Sequence, residues 1–152
     1  MKKIGYILIF FALVSCGFEP IYSKKNSYNI SLNNYTLQGD KDINRKLVSI
    51  INSGGKNQKS IAYDLILTSN KSIEVVAKDS LGNASVYKTV IQVDFILKNV
   101  NDVGKVFKAK TIVLESSYNS MKNKFDLLQY QNTVEENLIT AISDEVIIFI
   151  NS

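Results

Sequence analysis

The 152-residue chain has no histidine and no tryptophan, one cysteine, one proline and a single arginine, Arg45. Each scarcity removes a class of chemistry. Without histidine, neither a Ser-His-Asp nor a Cys-His nucleophilic site can be built, and with one cysteine Cys/His zinc sites and an intrachain disulfide are excluded too. The seven glycines make no phosphate loop, because Ser53-Gly54-Gly55-Lys56 ends an apolar helical stripe whereas such a loop opens a helix. The only adjacent acidic pairs, Glu135-Glu136 and Asp144-Glu145, lie in a helical stretch where neighbours point about 100° apart. They read as a solvated helix face. The residues therefore imply no cofactor, no metal and no catalytic site; the chain is not expected to be an enzyme. Formal charge is +4 and falls to about +2 if Lys2 and Lys3 leave with a leader, too little to argue for nucleic acid.

What is present begins at the N-terminus. Met1-Lys2-Lys3 is a short basic start, and Ile4 to Val14 is apolar all round but stops at Cys16, Gly17, Glu19 and Pro20, short of the roughly 20 residues of a spanning helix. This is the layout of a secretory signal peptide. Leu13-Val14-Ser15-Cys16 resembles the lipobox of bacterial lipoproteins. That resemblance implies that the Cys16 thiol is alkylated with diacylglycerol, the chain cut before it and the new amine acylated. A thiolate is the side chain nucleophilic enough for the thioether, and acyl chains hold a bilayer at about 0.8 kcal/mol per buried CH2. Gly17, where an aspartate would imply inner-membrane retention, favours the outer membrane. The expected organisation is a signal peptide over 1–15, a lipidated tether over 16–27 and one domain over 28–152.

Within that domain, Asn29 to Tyr35 reads as a short first strand. Asp40 is a plausible N-cap of a helix with the stripe Ile43, Leu47, Ile50 and Ile51, ended by Gly54-Gly55. The period then becomes alternating: Tyr63, Leu65 and Leu67 on one side, a bulge or bend at Ser69 to Ser72, and strand again from Ile73 to Lys78. Asp79-Ser80-Leu81-Gly82-Asn83 is a hairpin turn, followed by a long strand from Ala84 to Leu97 and, after a second turn at Asn99 to Gly104, a last strand over Lys105 to Ser116. Tyr63, Tyr87 and Phe107 read as core. A final helix from about Asp126 to Ile150 carries the stripe Leu127, Tyr130, Val134, Leu138, Ile142, Val146 and Phe149. Its β-branched end, Val146 to Ile150, also permits a short strand. The order β-α-β-β-β-α predicts a single α+β domain, a four-stranded mixed sheet with two helices packed on one face and the first strand parallel to a neighbour. The uncovered face is expected to carry Lys88, Lys108 and Lys110 amid Val86, Val90, Ile96, Ile112 and Leu114, a surface that something should cover.

Three features together, the lipobox, Cys16-Gly17-Phe18-x-Pro20-x-Tyr22, and the C-terminal Gln131 to Ile150 (QNTVEENLITAISDEVIIFI) on one small α+β domain, resemble the lipopolysaccharide-assembly lipoproteins, the LptE family. The resemblance implies a role without catalysis: a lipid-anchored protein on the periplasmic side of the cell outer membrane that plugs, and helps assemble, the LptD β-barrel translocon inserting lipopolysaccharide into the outer leaflet. On that reading the partners are the barrel, lipopolysaccharide and the membrane through the N-terminal lipid, with no nucleic acid. Lys88, Lys108 and Lys110 are the candidate lipopolysaccharide contacts, their ammonium groups meeting phosphate and the aliphatics meeting acyl chains. The rival expectation is a periplasm-facing lipoprotein that binds another envelope ligand or scaffold, such as peptidoglycan. It would not co-purify with a barrel.

Overall fold

The computed structural model describes residues 30–54, 61–102 and 105–152. The leader, Cys16 and the tether over 16–27, with Phe18, Pro20 and Tyr22, lie outside the described residues. The elements run β1 (Ile30–Gly39), α1 (Lys41–Gly54), β2 (Ile61–Lys78), β3 (Ala84–Asn99), β4 (Val106–Asn119) and α2 (Lys124–Asn151). This is the expected α+β order, a four-stranded mixed sheet with two helices. The strands lie in the order β1-β2-β3-β4, with β1 parallel to β2 and the remaining pairs antiparallel.

Local chemistry explains the boundaries. Gly39 adopts φ +87°, a conformation that an L side chain resists, and turns the chain out of β1 into α1. Asp40 then caps the helix, its Oδ1 accepting from the N–H groups of Asp42 and Ile43 at 3.0 and 3.1 Å. Four-residue spacing puts Ile43, Leu47 and Ile51 on one face, and all three are fully buried. At the other helix, Asn123 Oδ1 accepts from the N–H of Phe125 at 2.9 Å. The β2–β3 turn is held by Asp79, whose Oδ1 accepts from Leu81 and Asn83 N–H at 2.9 and 2.8 Å, with Gly82 at φ +84°. Those bonds also keep the exposed Asp79 carboxyl below its usual range, the Asn83 N–H being the largest cause.

Two local expectations shift, and a third, the helical reading of the C-terminal end, holds. The first strand extends through Gly39, and β2 runs unbroken through Ser69 to Ser72, its irregularities falling at Val75 to Lys78 instead. The polar run is compatible with a strand because Ser69 Oγ donates to Asp40 O at 3.1 Å, tying β2 to the start of α1. Val146 to Ile150 is helix, since Val146 and Ile150 are both buried, one turn apart, and burial outweighs β-branched propensity.

The core is a single cluster between the sheet and the two helices. β2 contributes Tyr63, Leu65 and Leu67, β3 contributes Ile91, Val93, Phe95 and Leu97, and α2 contributes Val134, Leu138, Ile139, Ile142, Val146 and Ile150. Tyr87 packs at its margin, and half-exposed Phe107 stacks on Tyr63 with ring centroids 4.7 Å apart.

Strand β4 requires a correction. Residues directly opposite on an antiparallel pair share a face. Leu97 stands opposite Lys108, Phe95 opposite Lys110, Val93 opposite Ile112 and Ile91 opposite Leu114. Lys108, Lys110, Ile112 and Leu114 therefore face the helices, with Ile112 buried and Leu114 packed on the core. Ala109, Thr111, Val113, Glu115 and Ser117 form the uncovered side. Period-two alternation divides β4 into the right two sets but does not say which set faces inward; register decides that.

Candidate functional site

The uncovered sheet face holds Lys88 but neither Lys108 nor Lys110. Lys88 sits between Glu115 and Glu74, with Nζ to carboxylate distances of 3.3 and 3.7 Å. The hydrogen bond to Glu115 leads the causes that hold its pKa above the usual lysine value, against a smaller opposing effect of burial. Around it the face carries Asp64, Glu74, Asp94 and Glu115 against Lys88 and Lys98. Asp94 accepts from Thr111 Oγ1 at 2.6 Å. The face is thus mildly acidic rather than lysine-rich, and offers phosphate no concentration of positive charge.

Lys108 and Lys110 support the end of α2. The Lys108 ammonium donates to the carbonyls of Phe149 and Ile150 at 2.9 and 3.1 Å and lies 5.4 Å from the Phe149 ring centre. The last turn of α2 has no basic residue of its own, so a cation from the sheet occupies the negative end of the helix dipole. Lys110 pairs with Glu145 at 3.0 Å. The expected three-lysine patch is therefore divided: two lysines secure the helix layer and the third is paired on the opposite face.

The acidic pairs of α2 also need revising. Glu135 is largely covered and accepts from Lys71 Nζ at 2.8 Å, and Asp40 approaches the same ammonium at 3.7 Å. The Glu135 hydrogen bond is the largest influence on Lys71, raising its pKa above the ordinary 10.5 while burial opposes it. Glu136 meets Lys46 of α1 at 3.4 Å. Only Asp144 fits the solvated-face expectation fully, being exposed and without an ion pair among the described residues.

A different site emerges at the end of the sheet where the β2–β3 turn meets the β4–α2 connection. Ser120 N–H donates to Ser85 O at 2.8 Å, and Asn119 stands opposite Val86, so two segments about 40 residues apart in sequence form one tip. The rings of Tyr87, Tyr118 and Tyr130 run beneath it, with successive centroids 5.9 and 5.8 Å apart, and fix the start of α2 on the sheet. Leu81 is 84% exposed and Phe125 71%, with Val76, Met121 and Leu128 also exposed. Lys78 at the end of β2, Lys122 in the β4–α2 connection and Lys124 at the start of α2 are all exposed and without an ion pair among the described residues. Exposed apolar side chains on segments that also carry ammonium groups without a carboxylate partner among the described residues fit the surface of an anionic amphiphile. The sequence signal for this site was available in Leu81, an apolar residue in a turn otherwise built from Asp79, Gly82 and Asn83.

These features define a small α+β domain with a helix-covered sheet, an uncovered mildly acidic face and a basic apolar tip. No family model matches the chain, and no curated protein matches it in sequence. Among solved structures, the fold is similar to the rare lipoprotein B of Shewanella oneidensis, at 14% identity and a TM-score of 0.54, covering 75% of this chain and 90% of that one. It is also similar to uncharacterized lipoprotein B of Nitrosomonas europaea, at 10% identity and a TM-score of 0.56, covering 86% and 88%. At these identities the likeness is one of fold.

Proposed function

We propose that this protein is an outer-membrane lipoprotein of the LptE type, anchored through Cys16 on the periplasmic side, that plugs and helps assemble an LptD-type β-barrel and contacts lipopolysaccharide during its insertion. The observation that carries the reading is the joining of a lipobox-like Leu13 to Cys16 leader to a fold similar to that of solved lipoproteins. The role is one of binding and assembly rather than catalysis. Lipopolysaccharide is assigned to the tip rather than to Lys88, Lys108 and Lys110, because the ammonium groups of those three are already occupied. Lys78, Lys122 and Lys124 supply charge for phosphate, and Leu81 and Phe125 supply apolar surface for acyl chains.

The intact lipoprotein, purified from solubilised outer membranes, is expected to carry a large outer-membrane β-barrel with it and to incorporate a fatty-acid analogue that a Cys16→Ala variant does not. Recovery with peptidoglycan and no barrel would replace the proposal with the scaffold-binding alternative. Lys78→Glu/Lys122→Glu/Lys124→Glu is expected to weaken lipopolysaccharide binding at least tenfold while barrel recovery persists. Unchanged binding would remove lipopolysaccharide from the tip.

A further inference from the structure

Strand β4 forms one border of the sheet, and its outer row of backbone N–H and C=O groups meets no strand among the described residues. A 14-residue edge of this kind is a template for pairing with another chain. Of its six helix-facing positions, Lys108, Lys110, Ile112, Leu114, Ser116 and Tyr118, Ile112 and Leu114 are aliphatic and Tyr118 is a buried aromatic, and exposed Val113 lies between the two aliphatics on the other side. The two positions before them are Lys108 and Lys110. A charged residue on the core-facing side of an edge strand is unusual, because its ammonium must find partners under the helix layer. Here both do, in the α2 carbonyls and in Glu145.

We propose that Lys108 and Lys110 close the β4 edge to a strand from a second copy of this chain. The argument is one of register. Two β4 edges pairing antiparallel with both helix layers on the same side must set helix-facing residues opposite helix-facing residues. Registers centred on the first half of β4 place Lys110 opposite Lys110, or Lys108 opposite Lys110, like charges about 5 Å apart at the β-carbons. A register centred on Ile112 places Lys110 opposite Leu114 and Lys108 opposite Ser116, sealing both ammonium groups beneath a second helix layer. Each arrangement opposes association, by repulsion in the first case and by desolvation in the second.

The test uses the full chain in detergent micelles, with sedimentation to read association and a Val113→Cys reporter to read β4–β4 proximity; the parent chain, which has Cys16 alone, sets the background. Lys108→Leu/Lys110→Leu is expected to associate at concentrations at least tenfold below the parent and to form the reporter disulfide between copies. The corresponding double arginine variant is expected to stay monomeric. A folded leucine variant that remains monomeric, or that associates without the reporter disulfide, overturns the proposal, as does an arginine pair that associates like the leucine pair. If the double leucine variant fails to fold, Lys110→Val, which leaves the Lys108 contacts with α2 in place, decides in the same way. Reporter disulfide supports the edge guard, and its absence refutes it.

Discussion

Replacing Gly39 with alanine tests how the sheet is joined to the first helix. The residue sits at φ +87°, and a β-carbon built there would collide with the carbonyl oxygen of Ser69 and lie 2.9 Å from its carbonyl carbon. Three costs accumulate. An alanine held at positive φ costs about 1–2 kcal/mol. Relieving the collision moves β1 away from β2 and weakens the Asp40 N–H to Ser69 O bond, now 3.2 Å, a loss of about 0.5–1.5 kcal/mol. It also disturbs the Asp40 cap, typically worth about 1 kcal/mol. The reduced freedom of the unfolded chain returns about 0.4–1 kcal/mol, leaving a net loss of roughly 2–4 kcal/mol from a domain whose total is expected near 5–15 kcal/mol. Gly82 provides the control: it has φ +84° but nothing within 4 Å of the added carbon, so Gly82→Ala should cost only about 1 kcal/mol. Urea unfolding followed by circular dichroism measures both, with an unchanged slope indicating an unchanged unfolding reaction. Losses agreeing to within about 0.5 kcal/mol would show that the Ser69 collision is not real.

Two further substitutions test how α2 is held. Glu135→Gln removes the charge partner of Lys71 and is expected to cost about 1–2 kcal/mol at neutral pH, between an exposed and a buried ion pair. The pH dependence has a definite sign. Because the folded pKa of Lys71 is raised above 10.5, its stabilising contribution is complete below that value and is lost as pH rises through the folded pKa. Urea midpoints measured across this alkaline range should therefore fall more in the parent than in Glu135→Gln, and parallel curves would contradict the assignment. Leu138→Asp places an unpaired carboxylate in the buried stripe of α2 and is expected to cost several kcal/mol, enough to unfold the domain. Glu136→Ala, one helix face away with its side chain 68% exposed, should stay within about 0.5 kcal/mol. Similar thermal melts for these two variants would mean that the helix is wrongly phased.

The sequence by itself determined the elements and their order. Helical spacing in Ile43, Leu47 and Ile51, alternation in Tyr63, Leu65 and Leu67, the Asp40 cap and the Asp79 to Asn83 turn are local signals, and local signals survive because each depends on residues a few positions apart. It also supplied the lipobox resemblance at Cys16, a motif read along the chain. Tertiary structure alone decided which half of the β4 alternation faces inward. Lys108 and Lys110 look like surface in sequence, yet their long stems lie under α2 because Leu97 and Phe95 stand opposite them and the helix end offers carbonyls and Glu145. Likewise Glu135 became a partner rather than a solvated charge only when Lys71, 64 residues away, was brought beside it. The tip was only half legible for the same reason: Leu81 marks the turn in sequence, but Lys78 and Leu81 lie about 40 residues before Lys122 and Phe125, and strand pairing had to bring the two segments to one end of the sheet. Periodicity is fixed by backbone geometry within one segment, whereas facing, pairing and shared surfaces depend on register between segments.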